Sequence, residues 1–192
     1  TGQYATALRH AGFDGRIVSF EPLTQAHARL IRVADGDPLW TIAPRMAIGA
    51  AHGETTIHVS AESDMSSILP LREDTERKLA SSRYIGRETI PMRTLDELWD
   101  DYADSAGVFV KIDTQGYEDK VLDGLGERID AVRGAQLELA LTPLYEGETL
   151  YRDMLDRLAR HELTPHLIIP GYYSRHHQRM LQFDAVFFRE LV

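Results

Sequence analysis

The segment Val110-Lys111-Ile112-Asp113-Thr114-Gln115-Gly116-Tyr117-Glu118 sets a lysine and two acids close together at the end of an apolar run. Side chains two apart on a strand point to the same side. Lys111 and Asp113 therefore either neutralise each other or present a cation and an acid to one substrate hydroxyl. Gly116 opens the helix that carries Glu118, and a negative charge is favoured at a helix start. Two further acids, Glu21 and Glu138, also sit at the ends of apolar runs. In an open α/β sheet, ligands bind beyond the carboxyl ends of the strands. Glu21 precedes Pro22, and is read either as a grip for two ribose hydroxyls or as a helix-start acid. Gly2 belongs to a strand-to-helix turn, where glycine lets the backbone approach a ligand. The run Arg175-His176-His177-Gln178-Arg179 is a solvated loop at the rim rather than a metal site, because adjacent residues share no face and cysteine is absent.

The elements that position these residues follow from periodicity. Tyr4, Leu8 and Ala11 recur at helical spacing, and Leu23, His27, Leu30, Ile31 and Ala34 form a second helical stripe. Thr94 followed by Glu97 is a capping-box pattern ahead of Leu95, Leu98, Trp99 and Tyr102. Val121, Leu122, Leu125 and Ile129 mark one helix, and Leu150, Met154, Leu155 and Leu158 another. Strands are expected around Arg16–Phe20, Leu39–Ile48 (interrupted by Pro44), Thr55–Val59, Glu88–Met92, Val108–Ile112, Ala135–Leu141, Leu167–Ile169 and Ala185–Phe188. The polar stretch 61–84 is a long loop or insertion. Strands alternate with helices and several are apolar throughout, which predicts an α/β sheet covered on both faces.

Composition narrows the function classes. The 192 residues, 43% hydrophobic, suit one domain. A formal net charge of −9 argues against nucleic acid as partner. With no cysteine, disulfides and thiolate metal sites are excluded, which fits a cytoplasmic protein. No apolar run is long enough to span a membrane, and no charged-then-apolar leader is present.

Taken in order, these segments resemble the FkbM-type S-adenosylmethionine-dependent methyltransferases. Thr1-Gly2-Gln3-Tyr4 is similar to the tail of the family's first motif, Gly15 to Pro22 to its second strand and ribose-binding acid, and Ala47-Ile48-Gly49 to the segment after its third strand. Ser66-Ser67 resembles a small polar motif of the following insertion, and Thr94-Leu95-Asp96-Glu97-Leu98 the Thr-Leu-Asp-x-Leu helix start. Lys111 to Glu118 is similar to Lys-Ile-Asp-Val-Glu-Gly-x-Glu, with Gln115 in place of the more usual glutamate. Glu138, Leu144-Tyr145 and Gln182 to Phe187 complete the likeness.

The resemblance implies a Rossmann-like class I methyltransferase sheet, mostly parallel with an antiparallel last strand, in a single domain over residues 1–192. The first strand and most of the glycine-rich loop are expected to be missing from this chain. It further implies an O-methyltransferase using S-adenosylmethionine on a hydroxyl of a small sugar-like or natural-product substrate. Asp113 and Lys111 are the implied catalytic residues. Gly2, Tyr4, Glu21, Met46, Ala47 and Asp113 are implied at the cofactor, and Ser66, Ser67, Tyr172, Tyr173 and His176 at the substrate. An NAD-dependent oxidoreductase and a non-catalytic binding domain are the alternatives.

Overall fold

The structure, a computed structural model, describes residues 2–61, 63–73, 83–103 and 107–189. Helix α1 (Gln3–His10) leads into β1 (Ile17–Ser19), α2 (Thr24–Ala34), β2 (Trp40–Ile42) and the short β3 (Ala47–Ile48). Two long strands follow, β4 (Gly53–Ser60) and β5 (Tyr84–Arg93), then α3 (Leu95–Tyr102) and β6 (Val108–Ile112). The chain continues through α4 (Glu118–Asp123), β7 (Val132–Ala140), α5 (Tyr151–Ala159) and β8 (Leu163–Pro170). It closes with a small hairpin, β9 (Tyr173–Ser174) and β10 (Arg179–Met180), and β11 (Gln182–Arg189). Thr1 and part of the expected 61–84 insertion, residues 62 and 74–82, lie outside the described residues. No helix among those described is long and apolar enough to cross a membrane.

The fold is mixed α/β. The strands form four hydrogen-bonded groups: β1 with β2, β3-β5-β4, β6-β7-β11-β8, and β9 with β10. Parallel pairs join β1 to β2, β3 to β5 and β6 to β7, whereas β4 pairs antiparallel with β5, and β11 with both β7 and β8. The antiparallel closing strand matches expectation. The single mostly parallel sheet is not what the hydrogen bonds draw, because β1 and β6 each have one strand neighbour among the described residues. A second departure concerns the helix expected through Ile129. It ends at Asp123 and resumes as a 3-10 turn, Gly126–Ala131. Gly126 marks the break, with left-handed backbone at φ 53, while Gly124 just before it is still helical and lets the carbonyl of Gly49 approach closely.

The largest core lies on one face of β6-β7-β11-β8. Ile112, Leu137 and Ala185 stand in register across three strands, and Leu139, Phe183 and Phe187 extend that face. Met154 and Leu158 of α5, with Val121 and Leu122 of α4, cover it. Each such side chain contributes about 1.5–3 kcal/mol when fully buried. Because side chains alternate along a strand, the same pairing throws Lys111, Gln136, Glu138, Gln182 and Asp184 onto the opposite face. Lys111 sits across from Gln136, and Glu138 across from Asp184. The register that builds the core thus also assembles a polar ridge. Separate clusters knit α2 to the β3-β5-β4 group and to α1 and β2. At α3 the capping box is present, with Thr94 Oγ1 accepting from Glu97 N at 3.1 Å and the Glu97 carboxylate accepting from Thr94 N at 3.2 Å.

Candidate functional site

Beyond β6 the chain makes a tight, fully bonded turn. Gln115 and Gly116 both adopt left-handed backbone, at φ 54 and φ 90. Glu118 folds back over the turn: its Oε1 accepts from Thr114 N at 2.8 Å, Thr114 Oγ1 at 3.2 Å and Gly116 N at 3.3 Å. A Cβ on Gly116 would stand 2.9 Å from Tyr145 Cδ2, so the buried Tyr145 ring rests directly on the turn. Leu71, Leu144 and Leu181 pack with Tyr145 and hold it there. From the other side Ser67 Oγ donates to the Gln115 carbonyl at 2.7 Å.

Out of this turn grows a chain of polar side chains. Lys111 Nζ donates to Asp113 Oδ2 at 2.9 Å, lies 3.9 Å from Asp184, and stands 5.5 Å from the Tyr4 ring centroid. Gln115 Nε2 donates to Asp113 Oδ1 at 3.1 Å and to Glu138 Oε2 at 2.7 Å. Gln182 Nε2 donates to the same Glu138 oxygen at 2.8 Å, and Tyr145 OH donates to Gln115 Oε1 at 2.9 Å. Gln136 Nε2 ties off Asp184 at 2.9 Å. Two acids, Asp113 and Asp184, therefore meet one lysine, and glutamine amides carry the chain on to Glu138.

Burial sets the electrostatics. It pushes the Glu118 carboxyl up to about 7, against the backbone donors that favour the charged form. Glu138 is raised well above the ordinary carboxylate range, first by burial and then by the charges of Asp113, Glu118 and Asp184, with Lys111 opposing. Burial also raises the Tyr145 phenol, which stays protonated and so donates its hydrogen bond. The Tyr4 phenol is raised by burial too, with Lys111 pulling the other way.

The sequence-derived candidates fall into groups. Lys111, Asp113 and Tyr4 meet at the end of β6, and Ser67 reaches the same turn through Gln115. Ser66 instead accepts from Ser60 N at 3.0 Å. Glu21 lies two residues past β1 and accepts from Leu23 N at 2.9 Å, in the turn just ahead of α2. Its Oε2 makes no hydrogen bond among the described residues, and burial raises its carboxyl. Gly2 has φ 79 at the start of α1, packed against Leu30, Val33 and Trp40. Ala47 is buried in β3 beside the partly buried Met46 and pairs with Met92. Tyr172, Tyr173 and His176 are exposed on the β9–β10 hairpin, and Tyr172 O accepts from Leu181 N at 2.8 Å.

Gln115, Glu138, Gln182 and Asp184 lie in segments that carry the family likeness but were given no site role, and Glu138, expected at a strand end, lies inside β7. One signal pointed to them. Gln136/Glu138 and Gln182/Asp184 repeat with period two inside otherwise apolar strands, which marks a shared polar face.

A family model described as "Methyltransferase FkbM domain" matches residues 2–163 of the chain. No curated protein and no solved structure gives a match.

Proposed function

Since the chain belongs to the FkbM methyltransferase domain family and is a methyltransferase, we propose that it carries a methyl group from S-adenosylmethionine to a hydroxyl oxygen of a small sugar-like or natural-product acceptor. Family membership replaces the nicotinamide-dependent oxidoreductase and the non-catalytic domain as readings of the chain. The observation that carries the proposal is Asp113. Both its oxygens are held, by Lys111 and by Gln115, yet its side chain is 46% exposed at the end of a parallel strand. It is a fixed carboxylate open to an incoming group.

In this reading β2-β1 and β6-β7-β11-β8 are two parts of one Rossmann-like sheet, with a further strand between β1 and β6, in a single domain. What supports it is that β1/β2 and β6/β7 are parallel pairs and that β11 runs antiparallel between β7 and β8. The uncommitted Oε2 of Glu21 suits a pair of ribose hydroxyls. Gly2 and Tyr4, at the start of α1, and Met46 and Ala47, at β3, would hold the rest of the donor, with Asp113 facing its methyl end. The sulfonium supplies an electrophilic methyl group when bound. The protein's own task is alignment and proton removal. Asp113 takes the acceptor's hydroxyl proton as the oxygen attacks, and Lys111 fixes the carboxylate that receives it. Tyr172, Tyr173 and His176, with Ser66 and Ser67, would line the acceptor side. The absence of cysteine supports a cytoplasmic setting.

The test is methyl transfer from labelled S-adenosylmethionine to a panel of hydroxylated and amine acceptors, by wild type and Asp113→Asn. Label is expected on oxygen, with a rate loss of about 10²–10⁴-fold in the variant. Labelling of amines alone would remove the O-methyltransferase reading, and wild-type turnover by Asp113→Asn would make Asp113 structural.

A further inference from the structure

Gln115 is the only side chain that touches both Asp113 and Glu138 among the hydrogen bonds described. Its amide has no freedom of direction. Tyr145 OH donates to Oε1 at 2.9 Å, so the nitrogen must face the two acids, and its two hydrogens serve one acid each. The backbone beneath is held in an uncommon conformation, φ 54 for a residue other than glycine. Such strain costs on the order of 1–3 kcal/mol and persists where the surroundings over-determine it. Here Ser67 grips the Gln115 carbonyl, and Glu118 grips the amides on either side of it.

We propose that Gln115 is a positioning residue for methyl transfer: its amide clamps Asp113 to Glu138 and so fixes the direction in which the Asp113 carboxylate meets the acceptor. This rests on the reading of Asp113 as the proton acceptor. Glu138 is anchored in turn by Gln182 of β11, which makes the clamp continuous with the sheet. Where the related motif has a glutamate, glutamine here meets each of the two acids with a donor. The charged or titratable groups around Glu138 are Lys111 of β6, Asp113 just past it, Glu118 of α4, Tyr145, and Asp184 of β11.

The experiment is a titration of the full chain with isotope-labelled glutamate carboxyls, followed by NMR, the Glu138 signal being assigned by its loss in E138Q. In Q115E the Glu138 midpoint is expected to rise by at least one pH unit, a tenfold gain in proton affinity, because a donor is replaced by a charge. In Q115M, which removes the donor and keeps the bulk, it rises by less. A residue that merely fills space would leave the Q115M midpoint unchanged, and one whose loss opens the turn to water would lower it toward the ordinary carboxylate range. Either result overturns the clamp. Should Q115E fail to fold, Q115M decides alone. Methyl transfer by Q115M adds a second readout, with kcat expected to fall at least tenfold while KM for S-adenosylmethionine stays within about twofold. A raised midpoint with no methyl transfer by wild type to any hydroxylated acceptor would defeat the proposed function and leave the clamp standing. A raised midpoint with unchanged Q115M kcat would show that the clamp does not serve catalysis.

Discussion

Replacing Glu118 by glutamine should stabilise the protein strongly at pH 8 and much less at pH 5. Glu118 is fully buried, and burial lifts its carboxyl from 4.5 to about 7 despite three donors on one oxygen. Below about pH 4.5 both the folded and the unfolded chain hold the proton. Between 4.5 and about 7 the folded chain keeps it while the unfolded chain has released it, so stability falls as pH rises through that window and levels off above it. A rise of that size corresponds to about 3 kcal/mol. Glutamine keeps the accepting oxygen for Thr114 and Gly116 and carries no charge, so it escapes this loss. Glu21, Glu138 and Glu148 are raised as well and contribute with the same sign. They are present in both proteins, so the difference between variant and wild type isolates Glu118. Removing its charge also relieves Glu138, which enlarges the difference slightly. The assay is urea unfolding of both proteins at pH 5 and pH 8. A wild type whose stability relative to Glu118→Gln is the same at the two values, or a variant that is weaker at pH 8, would refute the reasoning.

Two further outcomes are expected. Glu21→Ala should weaken S-adenosylmethionine binding at least tenfold by calorimetry, since charge-assisted hydrogen bonds are worth about 1.5–3 kcal/mol each; unchanged affinity would leave Glu21 as a helix-start acid alone. Gly116→Ala should cost about 2 kcal/mol or more in urea unfolding, from its φ of 90 and the Tyr145 ring against it, whereas Gly147→Ala, at φ 77 with open space around it, should cost only about 1 kcal/mol. Equal costs at the two glycines would show that Tyr145 does not press on the turn.

What could be read from the sequence was local. Thr94 and Glu97 announced their capping box because both partners lie within one helical turn, and Lys111 with Asp113 formed the ion pair that their spacing on a strand allows. The strand at Ala185 to Phe188 was visible in its apolar run, and its antiparallel sense was what the resemblance implied. What escaped depended on partners far along the chain. Gln115, as an exchange for glutamate, was given no essential charge, and its contacts emerge only when β7 brings Glu138, the following loop brings Tyr145, and β11 brings Gln182. The helix expected through Ile129 failed because the apolar spacing continues while the backbone turns left-handed at Gly126, at φ 53. The β9–β10 hairpin was taken for a loop because its strands are too short to leave a period.

The place of β11 has a consequence for how the molecule comes together in time. It is the last described strand in the chain, yet it lies between β7 and β8, which do not pair with each other. During synthesis β7 and β8 emerge first, and each waits with an open edge and an uncovered apolar face. Open edges of this kind recruit strands from other chains, and pairings between distant segments form slowly. Leu137 and Leu139 gain their partners Ala185 and Phe183 only when β11 arrives. Polypeptide stalled or cleaved ahead of Gln182 would therefore be the aggregation-prone species in a cell, and the amide that anchors Glu138 arrives on the same strand that closes the sheet.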